Sequence, residues 1–230
     1  MSENVCWLRD QCNGKDCDKF CLRKFKLDFL YNQSLLSYDQ RKKIGLRLDN
    51  NSLLDKPVFD RLRCVELDIV DFVNKGSNLY LWSHITGNGK TAWAVRLIQD
   101  YFNKIWPSST LSCRALFVNV PKFFLALKDN ISERSEYIAQ IKSNVLNADL
   151  VVWDEVALKT LTPFEMENLL SLINNRIDLG KSNIYTSNIS PEELLNLVGD
   201  RLYSRIINKS EILLFREKDK RKRILLSPNY

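Results

Sequence analysis

The sequence contains no apolar run approaching the roughly 20 residues of a membrane-spanning helix, which excludes a helical membrane protein. It has no internal repeat and no low-complexity tract, so a solenoid is not expected. The opening residues, Met1 to Asp10, lack the apolar stretch of a signal peptide. The expectation is a cytoplasmic chain with reduced thiols. Extreme charge is absent as well. Thirty-four Lys and Arg against 28 Asp and Glu leave a net +6, with a pI near 8.9. That balance is compatible with a polyanionic partner and does not demand one. What remains, 45% hydrophobic and 27% charged over 230 residues, reads as one sizeable globular domain with room for a small appendage.

Residues 1 to about 35 hold four of the six cysteines and a helical pattern through Phe25, Leu27, Phe29 and Leu30. Residues 36 to 56 are polar and punctuated, and read as a linker or loop. Beyond them helices and short apolar strands alternate. Helices are expected at Val58–Asn74, Ala92–Trp106, from Pro121, and at Glu133–Asn147, Thr162–Asp178, Pro191–Val198 and Arg201–Ile207. Strands are expected at Asn78–Trp82, Arg114–Val120, Leu150–Trp153, Asn183–Ser187 and Glu211–Phe215. This alternation implies an α/β fold, a mostly parallel five-stranded sheet with helices on both faces. The isolated Cys64 and Cys113 read as small buried hydrophobes or bystanders.

The strand Asn78–Trp82 leads into Ser83-His84-Ile85-Thr86-Gly87-Asn88-Gly89-Lys90-Thr91, and a helix follows. A Gly-containing loop between strand and helix lets backbone N–H groups converge on phosphate oxygens at a helix N-terminus. Gly87, Asn88, Gly89, Lys90, Thr91 and Ala92 are therefore candidate nucleotide contacts. Lys90 is expected on the β- and γ-phosphates and the Thr91 hydroxyl on Mg²⁺. His84 stands where the pattern G-x-x-x-x-G-K-[ST] has its first Gly, so that residue must adopt an ordinary backbone or the turn must differ.

Three more signals follow in order. Leu150-Val151-Val152-Trp153 ends in Asp154-Glu155, placing two carboxylates at a strand tip. Asp154 is a candidate Mg²⁺ ligand and Glu155 a candidate general base toward the attacking water. Asn183 to Asn188 is a strand with a polar end, from which Asn188 is a candidate contact to the γ-phosphate or that water. Arg201 and Arg205 lie four apart on one helix face. They read either as surface arginines or as an arginine finger for a neighbouring subunit's ATP.

These signals together resemble the AAA+ ATPases, specifically the DnaC/DnaI-type replicative helicase loaders of phages and Gram-positive bacteria, over roughly residues 60 to 223. The resemblance implies a P-loop three-layer sandwich and slow, switch-like hydrolysis of ATP to ADP with Mg²⁺. It implies a DnaB-type helicase as partner, and self-association or assembly on the helicase ring. It makes Lys90, Thr91, Asp154 and Glu155 the nucleotide and Mg²⁺ machinery, Asn188 the first sensor and Arg205 the finger, with Arg201 as the competing choice. Arg221, in the basic run Lys218 to Arg223, is either a further arginine to the nucleotide or part of a solvated tail. Only 15 residues follow Phe215, too few for a separate helical lid, as in that branch. The family uses the segment Pro121–Asn147 on single-stranded DNA. Here it carries Lys122, Lys128, Arg134 and Lys142 among Phe123, Phe124 and Tyr137, though those aromatics also suit a core.

Cys6, Cys12, Cys17 and Cys21 place four thiols within 16 residues. Four thiolates can enclose a structural Zn²⁺, and so short a polar segment cannot build its own core. An Fe–S cluster and free thiols are the alternatives. DnaI-type loaders are similar in carrying an N-terminal zinc module that docks on the helicase, with Trp7, Phe20, Leu22 and Phe25 here as a candidate contact surface. The domains expected are residues 1–50 (zinc module and linker) and 51–230 (ATPase). An IstB-type transposition helper, or a non-hydrolysing factor that captures the helicase, are the competing readings.

Overall fold

The structure, a computed structural model, describes residues 6–8, 12, 20–42, 46, 53–132 and 135–220. Arg134, Cys17 and Arg221 lie outside the described residues. The elements in chain order are α1 (Leu22–Gln33), α2 (Tyr38–Arg41), α3 (Lys56–Leu67), α4 (Ile69–Asn74), β1 (Asn78–Trp82), α5 (Lys90–Ile105), β2 (Ala115–Asn119), α6 (Val120–Ser132), α7 (Glu136–Asn147), β3 (Leu150–Asp154), α8 (Pro163–Asp178), β4 (Ser182–Ser187), α9 (Pro191–Ile207) and β5 (Glu211–Leu214).

The five strands form one sheet in the order β2-β3-β4-β1-β5, and every pairing is parallel. Alternation along each strand divides the core. Leu79, Leu81, Ala115, Phe117, Leu150, Val152, Ile184 and Leu213 pack with α1, α3, α4 and α5. Tyr80, Leu116, Val118, Val151, Trp153 and Tyr185 pack with α6 to α9 on the other face. The result is a three-layer α/β/α sandwich in which β1 to β4 are covered on both sides and the edge strand β5 is partly exposed.

Several boundaries depart from expectation for local reasons. The helix expected at Val58–Asn74 breaks at Asp68 (φ −111°, ψ 27°) into α3 and α4. Lys104 Nζ donates to the freed carbonyls of Glu66 and Leu67. The stretch expected to be a linker contains α2, which Ser37 and Gln40 close with a reciprocal capping box. Gln99 Nε2 then donates to the carbonyls of Gln40 and Lys42, tying this turn to α5. The two helices expected on either side of Gly199 are both present, joined within α9 at a kink where Gly199 takes the non-helical φ 70° and ψ 166°. Cys64 is exposed, because the buried face of α3 is Phe59, Leu62 and Val65. Cys113 is half-buried, and burial pushes its thiol up to about 11.

Helix α1 packs its buried face, Leu27, Leu30 and Tyr31, into the core formed with α5. Tyr31 meets Phe102 edge-on at 5.1 Å and Trp7 edge-on at 5.1 Å, while Trp7 Nε1 donates to Asp28 Oδ1. Phe20, Leu22 and Phe25 face outward. The α4–β1 turn requires Gly76, since a Cβ there would lie 2.4 Å from the carbonyl oxygen of Gly180.

Candidate functional site

The sheet order puts the phosphate loop where two strand tips face it. β1 feeds the loop, β4 is its neighbour, and β3 lies beyond β4. Crevices at the carboxyl ends of such strands are where open α/β sheets bind ligands. In the loop, Gly87 and Gly89 adopt φ 72° and 113°, left-handed conformations that a side chain would strain. His84 is not among the positive-φ residues. Its ring stacks edge-on against Trp82 at 5.3 Å, with Nδ1 3.7 Å from Glu193 Oε2, and its side chain is 60% exposed. The missing first Gly is thus met by an ordinary backbone with the imidazole turned out of the loop.

Lys90 opens α5 and is buried. Its Nζ donates to the carbonyls of Ile85 (2.9 Å) and Ser83 (3.4 Å) and to Asn88 Oδ1 (3.3 Å), so the ammonium lies across the loop. Asn88 is fully buried, and its Nδ2 has no hydrogen-bond partner among the described residues. A buried ammonium and an orphaned amide donor in one Gly-rich turn suit an anion.

The carboxylate side of the site is built by three strands. Thr91 Oγ1 donates to Asp154 Oδ1 at 2.8 Å, and Thr186 Oγ1, from β4, donates to the same oxygen at 2.7 Å. Asn119 ends β2 in register with Asp154 and donates from Nδ2 to Glu155 Oε2 (3.1 Å) and Asp154 Oδ2 (3.4 Å). Glu155 and Ala157 take φ 60° and 57° in the turn after β3. That turn is held by Glu155 N–H to Thr186 Oγ1 (3.1 Å) and Val156 N–H to the Thr186 carbonyl (2.9 Å). The hydroxyl–carboxylate donor set of Thr91 and Asp154 fits a hard cation such as Mg²⁺.

The structure therefore brings Lys90, Thr91, Asp154 and Glu155 to one crevice. It adds Asn119 and Thr186, to which sequence reasoning assigned no role. Thr186 was visible as part of a polar strand tip, whereas Asn119 carried no signal except its place at a strand end. Asn188 lies just past the end of β4 and makes no hydrogen bond to Asp154 or Glu155 among the described residues. Arg201 and Arg205 lie elsewhere. With Leu170, Asn174, Asp200 and Ser204 they line a cleft of about 500 Å³ between α8 and α9, and neither forms an ion pair with a described residue.

Phe123 and Phe124 are buried in the core and unavailable for base stacking. Lys128 pairs with the buried Glu165 at 2.8 Å, and Lys142 Nζ donates to Asn168. Lys122 and Tyr137 remain exposed. Cys6, Cys12 and Cys21 form no disulfide among the described residues, and Cys21 Sγ accepts from Lys24 N–H at the start of α1. Among the described residues no group of three or more His, Cys, Asp or Glu side chains is placed to hold a metal ion.

The model of a family described as IstB-like ATP binding protein matches residues 51–225. Among solved structures, the chain is similar to the DnaC helicase loader (23% identity, TM-score 0.55, covering 67% of this chain and 89% of that one). It is also similar to DnaI (15%, 0.59, 81% and 95%) and to AMPPCP-bound DnaA from Aquifex aeolicus (18%, 0.56, 78% and 51%). At these identities the likeness establishes the fold. No curated protein matches the sequence.

Proposed function

The chain belongs to the family of IstB-like ATP binding proteins, and from that premise we propose that it is a helicase-loader ATPase. It binds a replicative DnaB-type helicase and delivers it to single-stranded DNA, with hydrolysis timing release. The observation that carries the nucleotide part is the convergence of Thr91 and Thr186 on one oxygen of Asp154, at the mouth of the loop that buries Lys90. Thr91 and Asp154 would hold Mg²⁺, which when bound would neutralise phosphate charge. Lys90 exchanges loop carbonyls for phosphate oxygens. Glu155 accepts the proton of the attacking water once Asn119 releases its carboxylate. Asn188 contacts the γ-phosphate or that water. Arg205, half-buried on α9 with the exposed Arg201 beside it, is assigned to a neighbouring subunit's nucleotide.

The helicase-facing part is assigned to residues 1–50, where Phe20, Leu22 and Phe25 present an exposed apolar surface. A structural Zn²⁺ on Cys6, Cys12, Cys17 and Cys21 is supported by four thiols within 16 residues of a polar segment too short to build its own core. Metal analysis of the full chain beside Cys17→Ser tests this, and a metal-free chain that folds normally overturns it. A transposition helper shares the same ATPase core but is not favoured, since the similar solved structures are a helicase loader, DnaI and DnaA.

The deciding experiment compares the wild-type chain with Lys90→Ala, Glu155→Gln and Arg205→Ala for ATP turnover and for delivery of the resident replicative helicase to single-stranded DNA. Lys90→Ala is expected to lose nucleotide. Glu155→Gln should bind nucleotide but not turn it over, and Arg205→Ala should fail only in the assembly. If neither Lys90→Ala nor Glu155→Gln changes turnover or delivery, the reading fails.

A further inference from the structure

Asp55 immediately precedes α3, a position where a carboxylate ordinarily caps the helix, yet its side chain makes no such bond. It is fully buried and turned instead to the segment after β5. Its Oδ1 accepts from the backbone N–H of Arg216 (2.6 Å) and Glu217 (3.3 Å). Glu217, also buried, returns the contact by accepting from Asp55 N–H at 3.3 Å. Lys220 completes the cluster, with Nζ 2.9 Å from Glu217 Oε2, 4.0 Å from Asp55 Oδ2 and 4.6 Å from the centre of the Phe59 ring. Burial first, then the neighbouring Glu217, hold the Asp55 carboxyl above its usual range, against the amides of Arg216 and Glu217 and the charge of Lys220. Apolar residues fill such sites at less cost when the only task is to pin a segment down.

The segment so held runs from one end of the phosphate loop to its middle. Phe215 N–H donates to the Trp82 carbonyl, where β1 ends, and the Phe215 ring packs on Phe59. Five residues later, Lys220 N–H donates to the Gly87 carbonyl at 3.0 Å. A planar trans peptide points its C=O and N–H in opposite directions. Holding the Gly87 carbonyl therefore turns the Asn88 N–H away from the strap. In a loop that binds phosphate through backbone amides, the orientation of each peptide is part of the binding energy.

We propose that residues 216–220, clamped by Asp55 and Glu217, are a positioning strap that sets the Gly87–Asn88 peptide of the phosphate loop and is coupled to nucleotide binding. The inference rests on the nucleotide reading of the loop. Asp55, Glu217 and Lys220 are positioning residues acting through the Lys220 N–H. Because coupling is reciprocal, nucleotide on the loop must in turn strengthen the strap's contacts.

Titration of a fluorescent ATP analogue against the full-length chain, with melting temperature measured in parallel, tests this. Lys90→Ala probes the site itself and should abolish binding. Asp55→Ala should raise the dissociation constant by about fivefold or more, the low end of typical coupling. Asp55→Asn keeps the Oδ1 acceptor and should restore affinity to within about twofold of wild type, below the usual coupling range of about 5–150-fold. In the wild type the analogue should slow backbone hydrogen exchange across residues 216–220. If Lys90→Ala loses the analogue while Asp55→Ala melts lower yet binds as wild type does, the strap only holds the tail and the inference falls. If Lys90→Ala binds normally, the nucleotide reading beneath it falls. Should Asp55→Ala fail to fold, an unchanged exchange rate at 216–220 in the wild type overturns the inference by itself.

Discussion

The Thr186 hydroxyl donates to Asp154 Oδ1 across 2.7 Å while accepting the Glu155 backbone N–H at 3.1 Å. One side chain of β4 thereby orients the carboxylate at the tip of β3 and the peptide that carries the next one. Thr91 reaches the same Asp154 oxygen from α5, so Thr186 is the outer partner of the pair proposed to hold the cation.

Thr186→Val keeps the shape of this contact and removes its hydroxyl. Outer partners of metal ligands typically contribute about 10–100-fold in affinity or activity. Mg²⁺-dependent ATP turnover should fall within that range, while binding of nucleotide in the absence of Mg²⁺ should change little. Unchanged turnover would show that Asp154 is oriented by Thr91 alone.

Arg176 is buried at the other end of the sheet and forms no ion pair with a described residue. Its guanidinium donates to the carbonyls of Val145, Ala148 and Ser182 and to Asn183 Oδ1 at 2.5 to 2.7 Å, joining the end of α7 to the start of β4. Burial pulls it down to about 10, so it stays protonated at neutral pH. Arg176→Met leaves those acceptors unpaired and should cost about 3–5 kcal/mol in urea unfolding. Arg176→Lys should recover only part, because a point charge cannot serve four acceptors in one plane.

Glu165 gives the fold an acid-sensitive contact. Burial opposes its ionisation, but the Lys128 ammonium at 2.8 Å and the Thr162 N–H in its capping box outweigh that and hold the carboxyl at about 2. A carboxylate depressed in the folded state contributes stability above its unfolded value of 4.5, which is lost as pH falls toward 2. Denaturant stability should therefore drop between pH 5 and pH 3. Lys128→Met should flatten that drop while lowering stability at pH 7. An identical slope in the variant would show that Lys128 is not the partner that matters.

Much of this was legible in the chain itself. β1, β2, β3 and β5 appear as short apolar runs and β4 as Ile184 and Tyr185 between polar ends, and Pro163 and Pro191 mark helix starts because a missing N–H costs nothing at a first turn. Lys90, Thr91, Asp154 and Glu155 were readable because each follows its strand at a fixed short distance. The break at Asp68 and the capping box at Ser37 are local features as well, but apolar periodicity hides the first and a polar composition hides the second. The roles of Asn119 and Thr186 were not readable, because an amide or a hydroxyl at a strand end is common and only its neighbours define its use.

The sequence by itself determined the three-layer α/β sandwich, the phosphate loop and the acidic strand tip, since periodicity, turn chemistry and short motifs act over a few residues. Only the tertiary structure decided the strand order, which sets β4 between β1 and β3 and so places Thr186 between Thr91 and Asp154. It alone set the register that faces Asn119 to Asp154, and it alone brought Asp55 against Glu217 across 162 positions of chain. Hydrogen bonds between such distant residues depend on how whole layers pack, and no local pattern encodes them.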